Sequence, residues 1–212
     1  MEKVQIQLLL FITQSALLYL ITRVTLKRLF IYLSSVTQNR KLVYALISTI
    51  YFPGTLLHEA AHLVMATLLL LRVKEIQIFP KATGEQTLKL GHVAYEKRGA
   101  LRGVLVGSAP FFLGLIFFWA LAYFKLFPGS NLWRTILFGY LIFAVSSTMF
   151  SSRQDLVDIL YALPLVIMGI GIIYIFNLTA QFEALTKTIN LYLFFPLVIN
   201  LCIWVTTHWL NR

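Results

Sequence analysis

His58-Glu59-Ala60-Ala61-His62 places two imidazoles four residues apart, with a carboxylate beside the first. On a helix, residues at that spacing share a face, so both rings can reach one ion. Two imidazoles supply half of a tetrahedral zinc shell. A catalytic site adds a third protein ligand and leaves the fourth position to water. Glu59 is then placed to take a proton from that water and pass it to a leaving amine. A bound cation lowers the pKa of water from about 16 to near 7, which makes hydroxide available at neutral pH.

The five residues sit in FPGTLLHEAAHLVMATLLLL, residues 52–71. Ionisable side chains are costly in so apolar a run and mark function. The neighbours Thr55-Leu56-Leu57 and Leu63-Val64-Met65 include no basic residue. A buried Glu59 there calls for a metal or a water-filled cavity to offset its desolvation. The nine residues from His62 to Leu71 span roughly 14 Å, which sets the metal inside the bilayer thickness.

The third ligand has to come from a short list. Glu2, Glu75, Glu85, Glu96 and Glu183 fall in terminal or polar segments, which leaves Asp155 and Asp158 in SSTMFSSRQDLVDIL. Either aspartate also suits an ordinary helix start, near the positive end of the dipole. His92 is the other alternative, and His208 reads as structural or interfacial.

The elements that position these groups follow from composition. Of 212 residues, 59% are hydrophobic and 12% charged, and the mean hydropathy is +0.80. Soluble domains carry about twice that charge, so the chain reads as an all-α, multi-pass integral membrane protein. Its net charge of +10 is spread between apolar runs, which argues for membrane lipid headgroups as partners and against nucleic acid. The single Cys202 excludes a disulfide framework.

A span needs about 20 apolar residues. The pattern predicts six: 4–22, 42–71, 101–125, 132–151, 157–176 and 191–210. Residues 23–41 read as a basic amphipathic connector along the membrane surface. Pro53-Gly54 predicts a tilt or break in the second span, with a new helix starting near Pro53. Within 72–97, between the second and third spans, alternation predicts a short β-hairpin. Ile76 and Ile78 share one face, a turn falls at 81–84 and a bulge at the strand glycine. Arg and Lys in 72–102 place that loop on the cytoplasmic side. The connector 23–41 is equally basic, and both cannot lie inside if 42–71 crosses simply.

On these residues the chain resembles the site-2 protease family of intramembrane zinc metalloproteases. That family pairs H-E-x-x-H with N-x-x-P-x-x-x-x-D-G on a later span. Here Ser147-x-x-Phe150-x-x-x-x-Asp155-Leu156 keeps the spacing, and only the aspartate matches in type. Gly107-Ser108-Ala109-Pro110 resembles the family's Gly-Pro span, and a hairpin between these spans is also a family feature. The resemblance covers roughly 42–158, within a single membrane domain 1–212 that adds a first span and connector (1–41) and two accessory spans (159–212).

What the resemblance implies is a zinc hydrolase held by His58, His62 and Asp155, with Glu59 as base. A transmembrane protein or peptide substrate would lie as an added strand along the hairpin edge near Ile76 and Ile78. Ser147 stands in for the substrate-holding asparagine. Two other expectations compete. A membrane gluzincin would take a glutamate as third ligand, and a non-proteolytic zinc-binding scaffold or pseudoprotease would hold clients without cutting them.

Overall fold

The computed structural model describes residues 2–77, 81–82, 88–89, 92–96, 99–150 and 152–210. The fold is all-α with a small antiparallel hairpin. Helices α1 (Glu2–Val36) and α2 (Arg40–Leu68) precede strands β1 (Val73–Gln77), β2 (Lys81–Ala82), β3 (Leu88–Lys89) and β4 (His92–Tyr95). Helices α3 (Ala100–Tyr123), α4 (Leu132–Thr148), α5 (Arg153–Tyr161), α6 (Leu163–Ile175) and α7 (Thr179–Leu210) follow.

The expected connector at 23–41 is mostly a continuation of α1, which runs unbroken for 35 residues, about 52 Å. Neither glycine nor proline occurs before Val36 to stop it. Helix α7 braces it. Asn190 Nδ2 donates to Gln7 Oε1 at 2.8 Å, and Thr25 Oγ1 donates to the Asn200 carbonyl at 3.2 Å. Arg23 stays in the helix with its guanidinium 4.5 Å over the Tyr19 ring, a favourable cation–π geometry.

Helix α2 starts at Asn39, whose side chain accepts from the amides of Lys41 and Leu42, satisfying donors that a helix start leaves open. It does not break at Pro53, contrary to expectation. Proline has no N–H for the carbonyl four residues earlier, here Thr49. The Tyr140 hydroxyl of α4 reaches across to the carbonyls of Thr49 (3.2 Å) and Ile50 (3.1 Å). Apolar surroundings tolerate a helix proline when a neighbour satisfies the freed group in this way. Gly54 completes the contact, because a Cβ there would overlap the Ala144 carbonyl and Thr148 Oγ1.

Six spans were expected. Among the described residues three helices, α1, α3 and α7, are long and apolar enough to cross a membrane. A fourth is added if α5 and α6, bent by 47° where they meet, count as one broken span. Pro164 falls in the first turn of α6, where proline is compatible with a helix start but not with continuing the previous one. Helix α4 has only 17 residues. The core gathers Leu18, Phe118, Ile142 and Leu193 from α1, α3, α4 and α7.

The hairpin is present. β1 pairs with β4 from Val73↔Tyr95 to Gln77↔His92, and β2 pairs with β3 through Lys81↔Lys89 and Ala82↔Leu88. Its irregularity falls between Val73 and Glu75 on β1; the glycine expected to carry it, Gly91, lies outside the described residues. Lys81 and Ala82 are strand rather than turn.

Candidate metal centre

The α2 helix carries His58 and His62 one turn apart, with their Nε2 atoms 3.1 Å from each other. The α5 helix brings Asp155 against them. Its Oδ2 lies 3.4 Å from His58 Nε2 and its Oδ1 lies 3.7 Å from His62 Nε2. All three ligand atoms fall within 4.8 Å of one another. In a tetrahedral zinc shell with bonds near 2.0–2.1 Å, ligand atoms stand about 3.3 Å apart. The His58–His62 separation of 3.1 Å and the His58–Oδ2 separation of 3.4 Å lie close to that value, the 3.7 Å approach to His62 is made by the other carboxylate oxygen, and the donors are those a zinc site uses. The three residues therefore fit a metal ion. His58 and Asp155 are each 5% exposed, so the group sits in a low-dielectric setting where opposite charges attract strongly.

Asp155 holds its place by serving the backbone as well. Ser152 caps α5, its side chain accepting from the Asp155 amide at 3.0 Å, while Asp155 Oδ2 accepts from the Ser152 amide at 3.0 Å. This reciprocal capping box fixes the carboxylate at the third helical position. Ser152→Ala is expected to lower α5 stability by about 1 kcal/mol and the affinity for a metal ion about tenfold, the scale of outer-shell changes at metal sites. Chelator competition would measure it, and Ser152→Thr, which can still cap, should recover most of the loss.

His62 is oriented from α3. Its Nδ1 lies 2.8 Å from the Val106 carbonyl. A carbonyl can only accept, so Nδ1 carries the proton and donates, leaving the Nε2 lone pair facing Asp155 and His58. One residue on, Gly107 meets α5. A Cβ there would overlap Asp158 Oδ2, and Gln154 Nε2 donates to Asp158 Oδ1 at 3.1 Å. About two turns further along, Gly114 packs on the Met149 side chain. The small residues of α3 thus allow close helix approach, as membrane packing requires.

The three ligands expected from sequence, His58, His62 and Asp155, come together. Glu59 is buried at 7% exposure and stands outside the ligand group. Asp158 is also outside that group and faces α3. The side chains of His92 and Ile76, and the whole of Ile78, lie outside the described residues. Ser147 Oγ is engaged by α7, accepting from Asn200 Nδ2 at 3.3 Å. His208 stacks on Trp204, and Cys202 is exposed and reduced.

Sequence reading missed Ser152 and the Val106 carbonyl. The first was legible as Ser-x-x-Asp before a helix; the only local mark of the second is Pro110, four residues on, which has no N–H to take that carbonyl. It also missed Tyr95, which packs against the Ala66, Leu71 and Val106 cluster. Burial pushes the Tyr95 phenol above its ordinary pKa, and the charges of Asp158 and Asp155 push it further. The base of the hairpin therefore lies within electrostatic reach of the centre.

No family profile, no curated protein and no solved structure matches this chain.

Proposed function

We propose that the protein is an intramembrane zinc endopeptidase that hydrolyses peptide bonds in or near transmembrane segments. The observation that supports this reading most is the convergence of His58, His62 and Asp155 from α2 and α5, with Glu59 buried beside His58 and outside that set. On this reading α2 and α4 also lie in the bilayer, which completes six spans.

His58, His62 and Asp155 would hold the cation, which when bound supplies a water of lowered pKa and polarises the scissile carbonyl. Glu59 accepts the proton from the attacking water and delivers it to the departing amine nitrogen as the C–N bond breaks. The Val106 carbonyl keeps His62 in the ligating tautomer throughout. The hairpin presents the strand edge on which an unwound substrate segment satisfies its backbone groups.

Glu59→Gln is expected to retain stoichiometric zinc and to lower the cleavage rate of a transmembrane substrate by at least about 10²-fold. Undiminished cleavage by Glu59→Gln would overturn the assigned base. The scaffold reading draws on Ser147, which replaces the expected asparagine and is already engaged by Asn200. Zinc-loaded wild type that cuts no transmembrane segment would favour it.

A further inference from the structure

We propose that Pro110 is a positioning residue for His62, acting by releasing the Val106 carbonyl from the α3 backbone ladder. Residue 110 is four positions after 106, so in a regular helix its N–H would take that carbonyl. Proline has no N–H, and its ring crowds the carbonyl of the residue four earlier and tilts it away from the axis. Pro110 lies inside α3, and the carbonyl it leaves open is the one 2.8 Å from His62 Nδ1.

The chemistry needs an acceptor of that kind. A ligating imidazole takes its tautomer from the hydrogen bond at its other nitrogen. In an apolar interior a backbone carbonyl can serve without introducing a charge. An ordinary helical carbonyl is already committed to the ladder, so a proline four residues on makes one available. The same arrangement occurs independently in α2, where Pro53 leaves the Thr49 carbonyl to the Tyr140 hydroxyl at 3.2 Å. The two differ in consequence: the α2 carbonyl closes a helix contact, whereas the α3 carbonyl aims a metal ligand.

If Pro110 only bent the helix, replacing it would move stability and metal binding together or leave metal binding alone. The positioning role predicts opposite signs. Pro110→Ala restores an N–H that competes for the Val106 carbonyl and removes an unfavourable helix residue. Its melting temperature should therefore rise or hold, while zinc affinity falls about tenfold. Pro196→Ala is the control, since Pro196 also lies inside a helix, α7, and its freed carbonyl, Tyr192, belongs to no ligand.

The role matters only if the metal reading is right, so a second measurement is made on metal-free protein. Nitrogen-15 spectra of histidine-labelled wild type should show His62 protonated on Nδ1. Those of Pro110→Ala should shift population toward the Nε2–H form. Unchanged zinc affinity together with an unchanged His62 tautomer in Pro110→Ala would overturn the proposal. A wild type that binds no zinc, yet shows the tautomer shift in the variant, would overturn the metal reading and leave the Pro110 role standing.

Discussion

Asp155→Ala is expected to lower zinc affinity by more than about 10²-fold. Changes one shell further out already cost 10–100-fold at comparable sites, and Asp155 contributes both a ligand oxygen and the only negative charge in the group. Two effects have to be separated, because the same side chain caps the start of α5. Asp155→Asn keeps an oxygen able to accept from the Ser152 amide and removes the charge. It should therefore lose zinc as the alanine variant does but unfold nearer to wild type. Asp158→Ala should keep its zinc, since that carboxylate faces Gly107 rather than the histidines. Metal analysis of the purified variants measures all three, and full zinc occupancy in Asp155→Ala would remove Asp155 from the ligand set.

The second large effect concerns no functional group. Gly54→Ala places a methyl on the Ala144 carbonyl and Thr148 Oγ1. Backbone cannot rotate away as a side chain can, so α2 and α4 have to separate. Overpacking of this kind costs about 3 kcal/mol. The displacement occurs one helical turn before His58, so zinc affinity should fall along with the unfolding temperature. Gly103→Ala makes the contrast. A Cβ there meets nothing within 4 Å, and alanine is the better helix former by about 1 kcal/mol. Equal thermal stability of the Gly54 and Gly103 variants would show that the α2–α4 contact is not tight.

What could be read from sequence divides along the reach of the interactions. His58, Glu59 and His62 were legible because their relation is set by one helical turn. The hairpin was legible from alternation, and among the described residues its irregularity lies between Val73 and Glu75 on β1. The continuity of α2 through Pro53 was not legible. It depends on Tyr140, a residue 87 positions later that supplies the donor the proline lacks. The run of α1 through Arg23, Lys27 and Arg28 was missed for a related reason. Those charges suggested a connector, and the Tyr19 ring together with the bracing of α7 keeps the helix intact. For Asp155 the residues alone left Asp158 and His92 as alternatives, since no local pattern says which group folds back onto α2; the resemblance's second motif singled out Asp155, and the fold brings it to the histidines.

The capping box at Ser152 and Asp155 also ties two processes together. Oδ2 of Asp155 holds the Ser152 amide and faces His58, so the start of α5 and the occupancy of the metal site share an atom. Any ion that favours the assembled carboxylate favours the wound helix by the same free energy, and the wound helix favours the ion in return. Starvation for metal would therefore be felt first as fraying at the α4–α5 junction, where amide hydrogen exchange would record it before any change in the rest of the bundle.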